Sequence, residues 1–238
     1  MSLHNARVLV IGGTSGIGLG VARAVAERGG VPIVVSRRQS SVDRALTHLP
    51  PGAIGTTVDL GDGGALDRLA EEVGEIDHLV YTAGEPLVHT GVADLTPEVI
   101  AGFFHTRFVG AVSAVRAFRS RLRPGGSVTL TSGTAAWQPR FGVLPVALCG
   151  AMNTVTTALA VEIAPIRVNA VAPGLSRTPL WDSLSEGDRE TLYDEESQRI
   201  PLGRVGEVED IAQAYVYCME QDFSTGTVLT VEGCILLV

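Results

Sequence analysis

Val8-Leu9-Val10-Ile11-Gly12-Gly13-Thr14-Ser15-Gly16-Ile17-Gly18 places four aliphatic residues directly before a glycine-rich turn, which runs into the helical pattern of residues 17–27. An apolar run of this kind reads as a buried strand, and glycines at its end permit a tight turn and a close approach of backbone to a bound group. The helix that follows aims its N-terminal N–H groups and partial positive charge at the same place, which suits the pyrophosphate of a dinucleotide. Outward from this junction the pattern repeats. Strands are read at 7–11, 32–36, 55–58, 78–81, 127–131, 167–170 and 228–231, and helices at 17–27, 43–48, 64–73, 97–122, 145–164 and 207–219. Strands that are apolar throughout, separated by helix-length segments, imply a parallel sheet covered on both faces. The expected fold is α/β, a single doubly wound Rossmann domain over residues 1–238 with a seven-stranded parallel sheet.

Charge and composition exclude several classes of function. The chain carries 18 basic and 26 acidic residues, a net charge of −8, and every one of the 18 is arginine. Without lysine there is neither a P-loop nor amine Schiff-base chemistry. The acidic balance argues against nucleic acid, which needs a clustered basic face. The one basic run, Arg116, Arg119, Arg121 and Arg123, ends a helical pattern, where cations complement the helix dipole. No stretch approaches 18 consecutive apolar residues, so no membrane span is expected. Residues 1–10 lack the pattern of a signal peptide, and a cytoplasmic location is expected. Cys149, Cys218 and Cys234 are too far apart for a disulfide framework or zinc knuckle, and the five histidines show no metal-binding spacing, so no metal is expected.

Two further stretches bear on ligands. The second strand ends in Ser36, Arg37 and Arg38, with no carboxylate for a ribose 2′-hydroxyl and two guanidiniums suited to a 2′-phosphate, which favours NADP(H) over NAD(H). Residues 137–144 and 178–201 are long connections after the fifth and sixth strands. Ligands of open α/β sheets sit at the carboxyl ends of strands, so both are candidate walls, and the polar, acidic 178–201 is a candidate lid.

With these residues in view the sequence resembles the short-chain dehydrogenase/reductase family over essentially its whole length. The family's Gly-x-x-x-Gly-x-Gly appears as Gly12, Gly16 and Gly18, with Thr14, Ser15 and Ile17 between them. Its adenine-side aspartate corresponds to Asp59, followed by Leu60, and its Asn-Asn-Ala-Gly to Tyr81-Thr82-Ala83-Gly84. Arg167-Val168-Asn169 and Ala172-Pro173-Gly174, with Thr178 after them, resemble the family's sixth-strand motif, which borders the nicotinamide. The resemblance assigns cofactor contacts to these turn residues, to Asp59 and Leu60, to Ala83 and Gly84, and to Pro173, Gly174 and Thr178. Pro201-Leu202-Gly203-Arg204 and Glu209-Asp210-Ile211-Ala212 match its C-terminal pattern, and the family implies a homodimer or homotetramer acting on a small-molecule substrate.

The catalytic half departs from the family. Its chemistry uses a tyrosine and a lysine four residues apart on one helix face, with a serine and an asparagine. Here the tyrosine position falls on Pro145, the lysine position on Cys149 and the asparagine position on Arg107, while the serine is kept as Ser132. Proline suits the first turn of a helix. Cys149 reads as a small buried hydrophobe rather than a nucleophile. Ser132 and Arg107 are the catalytic candidates, Arg107 as a replacement positive charge that has no proton to give. His105 is expected to point away from Arg107. His89 and Tyr193 are weighed as surrogate acids beside water and the substrate itself, and Arg140 and Thr134 are expected on the substrate side. The reading that follows is an atypical NADP(H)-dependent oxidoreductase acting on a carbonyl or alcohol with a non-standard proton donor. The alternatives are a non-catalytic NADP(H)-binding protein (a sensor, regulatory or partner subunit) and a lyase or isomerase without net redox change.

Overall fold

The computed structural model describes residues 2–85 and 90–238. Seven strands form one sheet in the order β3-β2-β1-β4-β5-β6-β7: β1 (Arg7–Ile11), β2 (Val31–Ser36), β3 (Ile54–Thr57), β4 (Ile76–Tyr81), β5 (Leu122–Thr131), β6 (Arg167–Pro173) and β7 (Val228–Val231). All pairings are parallel. The chain moves outward from β1 to β3 and then crosses back to lay β4 on the other side of β1. That reversal opens a crevice at the carboxyl ends of β1 and β4, where doubly wound sheets bind ligands.

Side-chain alternation along the strands divides the core between the two faces. Val8, Val10 and Val80 face helices α1 (Gly16–Glu27) and α8 (Val208–Glu220) in a cluster with Val25, Ile211 and Tyr215. Leu9, Ile11, Leu79 and Leu130 face the other way, in a cluster with Leu69 of α3 (Ala65–Val73), Phe118 of α5 (Gly110–Phe118) and Met152 of α6 (Val143–Glu162). Each fully buried large aliphatic side chain contributes about 1.5–3 kcal/mol over its exposed state. The remaining helices are α2 (Gln39–Leu46), α4 (Pro97–Phe104) and α7 (Glu186–Arg199).

The expected strands and fold are present, and several details of the helices differ. First, the helix expected over 97–122 is interrupted: α4 and α5 are joined by a π turn at His105–Val109, and the segment from Leu122 already belongs to β5. A π turn inserts an extra residue into the helical ladder, and here the Tyr81 hydroxyl donates to the Thr106 carbonyl within it. Second, 178–201 holds the 14-residue helix α7, its first turn capped by Ser185, whose hydroxyl accepts the Asp188 N–H at 3.2 Å. The sequence hid this helix because few of its residues are apolar, Leu192 and Tyr193 among them. The segments Pro97–Phe118 and Val143–Glu162 are long and apolar enough to cross a membrane by length and composition alone. Both lie over the sheet with Ala114, Phe118, Leu148 and Met152 turned into its core.

At the amino ends of the central strands, His78, Ser127 and Arg167 stand side by side in register. His78 is 4% exposed, and its Nδ1 lies 2.8 Å from the Ser127 Oγ. Arg167 donates to the Cys218 and Met219 carbonyls at 2.6 and 2.8 Å, satisfying groups at the carboxyl end of α8. Burial, reinforced by Arg167, pushes His78 down to about 4. The unfolded chain therefore binds a proton that the folded one refuses, and stability falls as pH drops from about 6.5 toward about 4. Urea unfolding should show the parent losing about 2 kcal/mol more than His78→Gln between about pH 7 and about pH 4.5. Equal losses in the two proteins would contradict this.

Candidate functional site

A cleft of about 760 Å³ opens at the carboxyl ends of β1, β4, β5 and β6. One half is built by the β1–α1 turn. A Cβ on Gly12, whose φ is +89°, would stand 2.6 Å from the Ala83 nitrogen, and one on Gly18 would stand 2.2 Å from the Gly12 carbonyl oxygen and 2.5 Å from the Thr82 Oγ1. Only glycine lets this turn lie against the end of β4. The N-terminus of α1 borders the cleft, and the side chain of its N-cap residue Ser15 does not cap it, which leaves its N–H groups for an anion.

Farther along, Ser36, Arg37 and Arg38 from the end of β2 line the same cleft, joined by Ser41 and Arg44 of α2. Arg37, Arg38 and Arg44 are exposed and have no carboxylate partner among the described residues. Sequence reasoning missed Arg44 because it started α2 at residue 43 instead of Gln39 and so looked only at the strand end. The other expected cofactor residues, Thr14, Gly16, Ile17, Asp59, Leu60, Ala83, Gly84, Pro173, Gly174 and Thr178, border the cleft as well. A glycine cradle, a free helix N-terminus and three unpaired guanidiniums fit a dinucleotide that carries an extra phosphate.

The second half of the cleft joins Arg107, Ser132, Pro145 and Cys149 with apolar walls from Phe103, Phe141, Leu148, Met152, Leu180 and Trp181. Arg107 projects from the π turn. Its side chain is 14% exposed, and its guanidinium lies over the backbone of Gly84, where a Cβ would meet its Nε at 3.0 Å. It donates to the Glu85 carbonyl oxygen, stands 3.5 Å from the Glu85 carboxylate and stacks 5.2 Å from the centroid of Phe103. Burial pulls the Arg107 pKa down while Glu85 opposes the shift. A guanidinium with this starting value keeps its charge.

Hydroxyls and thiol around this cation are engaged. The Ser132 hydroxyl lies 2.6 Å from the Asn153 Oδ1 and 3.2 Å from the Cys149 carbonyl oxygen. Burial pushes the Cys149 thiol up to about 11, which suits a packed side chain and not a nucleophile. The Tyr81 phenol, raised by burial, already donates to Thr106. The Ser176 hydroxyl donates to the Gly174 carbonyl at 3.0 Å, and the Trp181 indole to the Ser176 carbonyl at 3.1 Å.

Several expectations for this half are corrected. His105 does not turn away: it sits exposed at the rim of the same cleft, because the π turn alters the angular spacing that an α-helix would impose. Arg140 does not face the cleft; its fork grips the Glu196 carboxylate at 2.7 and 2.9 Å. Tyr193 is 3% exposed, in a cluster with Leu175, Ile200, Val205 and Ile235, where no substrate reaches it. Thr134 does line the cleft. His89 lies outside the described residues. Of 178–201, only the segment from Thr178 to Asp182 borders the cleft, with α7 behind it.

The whole chain, residues 1–238, matches a family model described as an SDR-like Rossmann domain. It is similar to the short-chain dehydrogenase/reductase malC of Malbranchea aurantiaca, 34% identical over 253 residues that cover 99% of this chain and 96% of the relative. A solved structure of that MalC Reductase/Diels-Alderase superposes with a TM-score of 0.92 at 31% identity, covering 99% and 98% of the two chains. A small-chain dehydrogenase in complex with NADPH matches with a TM-score of 0.81 at 31% identity, covering 98% of this chain and 100% of the other. An NADPH-bound short chain oxidoreductase from Pseudomonas aeruginosa PAO1, described as containing an atypical catalytic center, matches with a TM-score of 0.88 at 27% identity, covering 96% and 95%.

Proposed function

The chain belongs to the short-chain dehydrogenase/reductase family, and from that premise we propose that it is an NADP(H)-dependent oxidoreductase acting on a carbonyl or alcohol of a small, largely apolar molecule by an atypical mechanism. The NADPH carried by two of its structural neighbours supports the cofactor. Gly12 and Gly18 give the pyrophosphate room beside the α1 N-terminus, and Arg37, Arg38 and Arg44 hold the 2′-phosphate. NADPH, when bound, supplies hydride.

The observation that carries the mechanism is the largely but not fully buried Arg107 guanidinium, the one cation lining the apolar half of the cleft among the described residues. It stands where the family keeps its asparagine, opposite the positions that hold Pro145 and Cys149 in place of the tyrosine and lysine. Arg107 stabilises the negative charge that develops on the substrate oxygen, and it is already held by Glu85 and Phe103, so little reorganisation is needed. Ser132, steadied by Asn153, orients that oxygen. The proton comes from water at the mouth of the cleft or from the substrate, because Tyr81, Ser132 and Cys149 are engaged or too basic to give one. Of the connection 178–201, the stretch from Thr178 to Asp182 serves as the lid, and α7 backs it. A solved relative described as having an atypical catalytic center supports a departure from the tyrosine–lysine pair.

The engaged Ser132 hydroxyl also favours a second reading, a non-catalytic NADP(H)-binding protein. Hydride transfer decides between them. Across a broad carbonyl panel, Arg107→Met should lower kcat/KM by about a hundredfold with NADPH affinity nearly unchanged, and Ser132→Ala by at least about tenfold. A parent protein that binds NADPH tightly and reduces nothing in the panel would establish the second reading instead.

For the cofactor, removing Arg37 and Arg44 together should weaken NADPH by about tenfold or more while NADH changes little, as read by fluorescence titration. Equal losses for the two nucleotides would contradict the assignment of the 2′-phosphate. A cytoplasmic location and a homodimer or homotetramer complete the proposal. The outward Val109, Val143 and Val161, the last 81% exposed, and the apolar tail through Val238 support assembly. Light scattering should show a multiple of 24.9 kDa at micromolar concentration, and a monomer would contradict it.

A further inference from the structure

Arg140 and Glu196 lie 56 residues apart and join the segment after β5 to the helix α7 after β6. The contact is a two-pronged fork at 2.7 and 2.9 Å, and its carboxylate belongs to a residue only 5% exposed. Gln138 Oε1 takes the Arg140 Nε at 3.2 Å and its Nη2 at 2.9 Å, and Arg199 stands 3.4 Å from the Glu196 Oε1 that also accepts from Arg140. The guanidinium is thus fixed in one plane, and that plane covers the ring of Phe141 at 4.6 Å from its centroid. Phe141, unlike Arg140, lines the cleft.

The other end of the connection is equally fixed. Tyr193, about one turn before Glu196 on α7, is buried with Leu175, Ile200 and Ile235, which docks the helix on the body of the protein. A planar, forked and stacked side chain is needed to pass that position on, since an ammonium on a flexible stem neither grips two oxygens nor covers a ring in the same way.

We infer that the Arg140–Glu196 pair is a positioning device for the substrate wall: it holds the Phe141 ring in the cleft and thereby sets the shape an apolar substrate meets. This rests on reading the apolar half of the cleft as the substrate site. It concerns binding and not hydride transfer, so the two fail separately.

The test uses phenanthrenequinone, a flat apolar diketone, titrated into the full-length protein saturated with NADP+ and followed by tryptophan fluorescence, so that no turnover is needed. Glu196→Gln and Arg140→Lys should each weaken the quinone by about tenfold, leave NADPH affinity within about twofold, and be partly rescued in Glu196→Asp. Phe141→Leu, which keeps the ion pair, should cause a similar loss. Combining it with Glu196→Gln should add little, because both changes remove one device. Quinone binding that is alike in the parent and the variants, whether tight or absent, would overturn the inference, as would losses from Phe141→Leu and Glu196→Gln that simply add. A protein that binds the quinone as described but never reduces a carbonyl would leave the positioning device standing and remove the proposed oxidoreductase activity.

Discussion

Gly18 lies against Gly12 so closely that a Cβ on it would stand 2.2 Å from the Gly12 carbonyl oxygen, and one on Gly12 would stand 2.6 Å from the Ala83 nitrogen. These two contacts bring the end of β1, the start of α1 and the end of β4 to one point. The first turn of α1 faces a cleft and not a neighbouring strand because nothing bulkier than hydrogen stands between them. Everything the cleft offers depends on this meeting: the anion site at the helix N-terminus, the run from Ala83 to Glu85 that meets Arg107, and the opening between β1 and β4 that the strand order provides.

The two halves of the cleft are built by different physics. The half proposed to hold the nucleotide is backbone and exposed cation: glycines that must be glycines, a helix end its N-cap side chain leaves open, and arginines without carboxylate partners among the described residues. The other half is desolvated, with one guanidinium against Glu85 and Phe103 and hydroxyls that bond inward. A charge held in such a place acts strongly on a developing oxyanion, since low-dielectric walls screen it less than water would. The lysine-free composition fits that arrangement, because the cation here never gives up a proton.

The fold, and the set of residues expected at the nucleotide that line one end of the cleft, were legible in the sequence because much of both is written locally. A strand of Val-Leu-Val-Ile followed by spaced glycines specifies its own turn, and Ser36-Arg37-Arg38 sits at the strand end where doubly wound folds place a ribose. The substrate half was legible only in part. The resemblance to the family singled out Arg107 and Ser132, but the π turn that carries Arg107 and Thr106 and leaves His105 at the rim is hydrogen-bonded by Tyr81, 25 residues earlier, and no periodicity announces it. Arg140 read as a substrate-facing group because its partner Glu196 belongs to α7, a helix disguised by its acidic surface. Tyr193 read as a candidate surrogate acid on the 178–201 segment for the same reason. Arg44 escaped notice through a helix boundary misplaced by four residues.

In the proposed mechanism, charge stabilisation by Arg107 replaces a titrating phenol in this cleft. The pH dependence of kcat/KM for NADPH-dependent carbonyl reduction tests it most directly. With the guanidinium ionised throughout, the Cys149 thiol held up to about 11 and the Tyr81 phenol raised still further, the account predicts no break between about pH 7 and about pH 9.5. A break in that interval, abolished by replacing a single side chain of the cleft, would show a protein group passing the proton and contradict it.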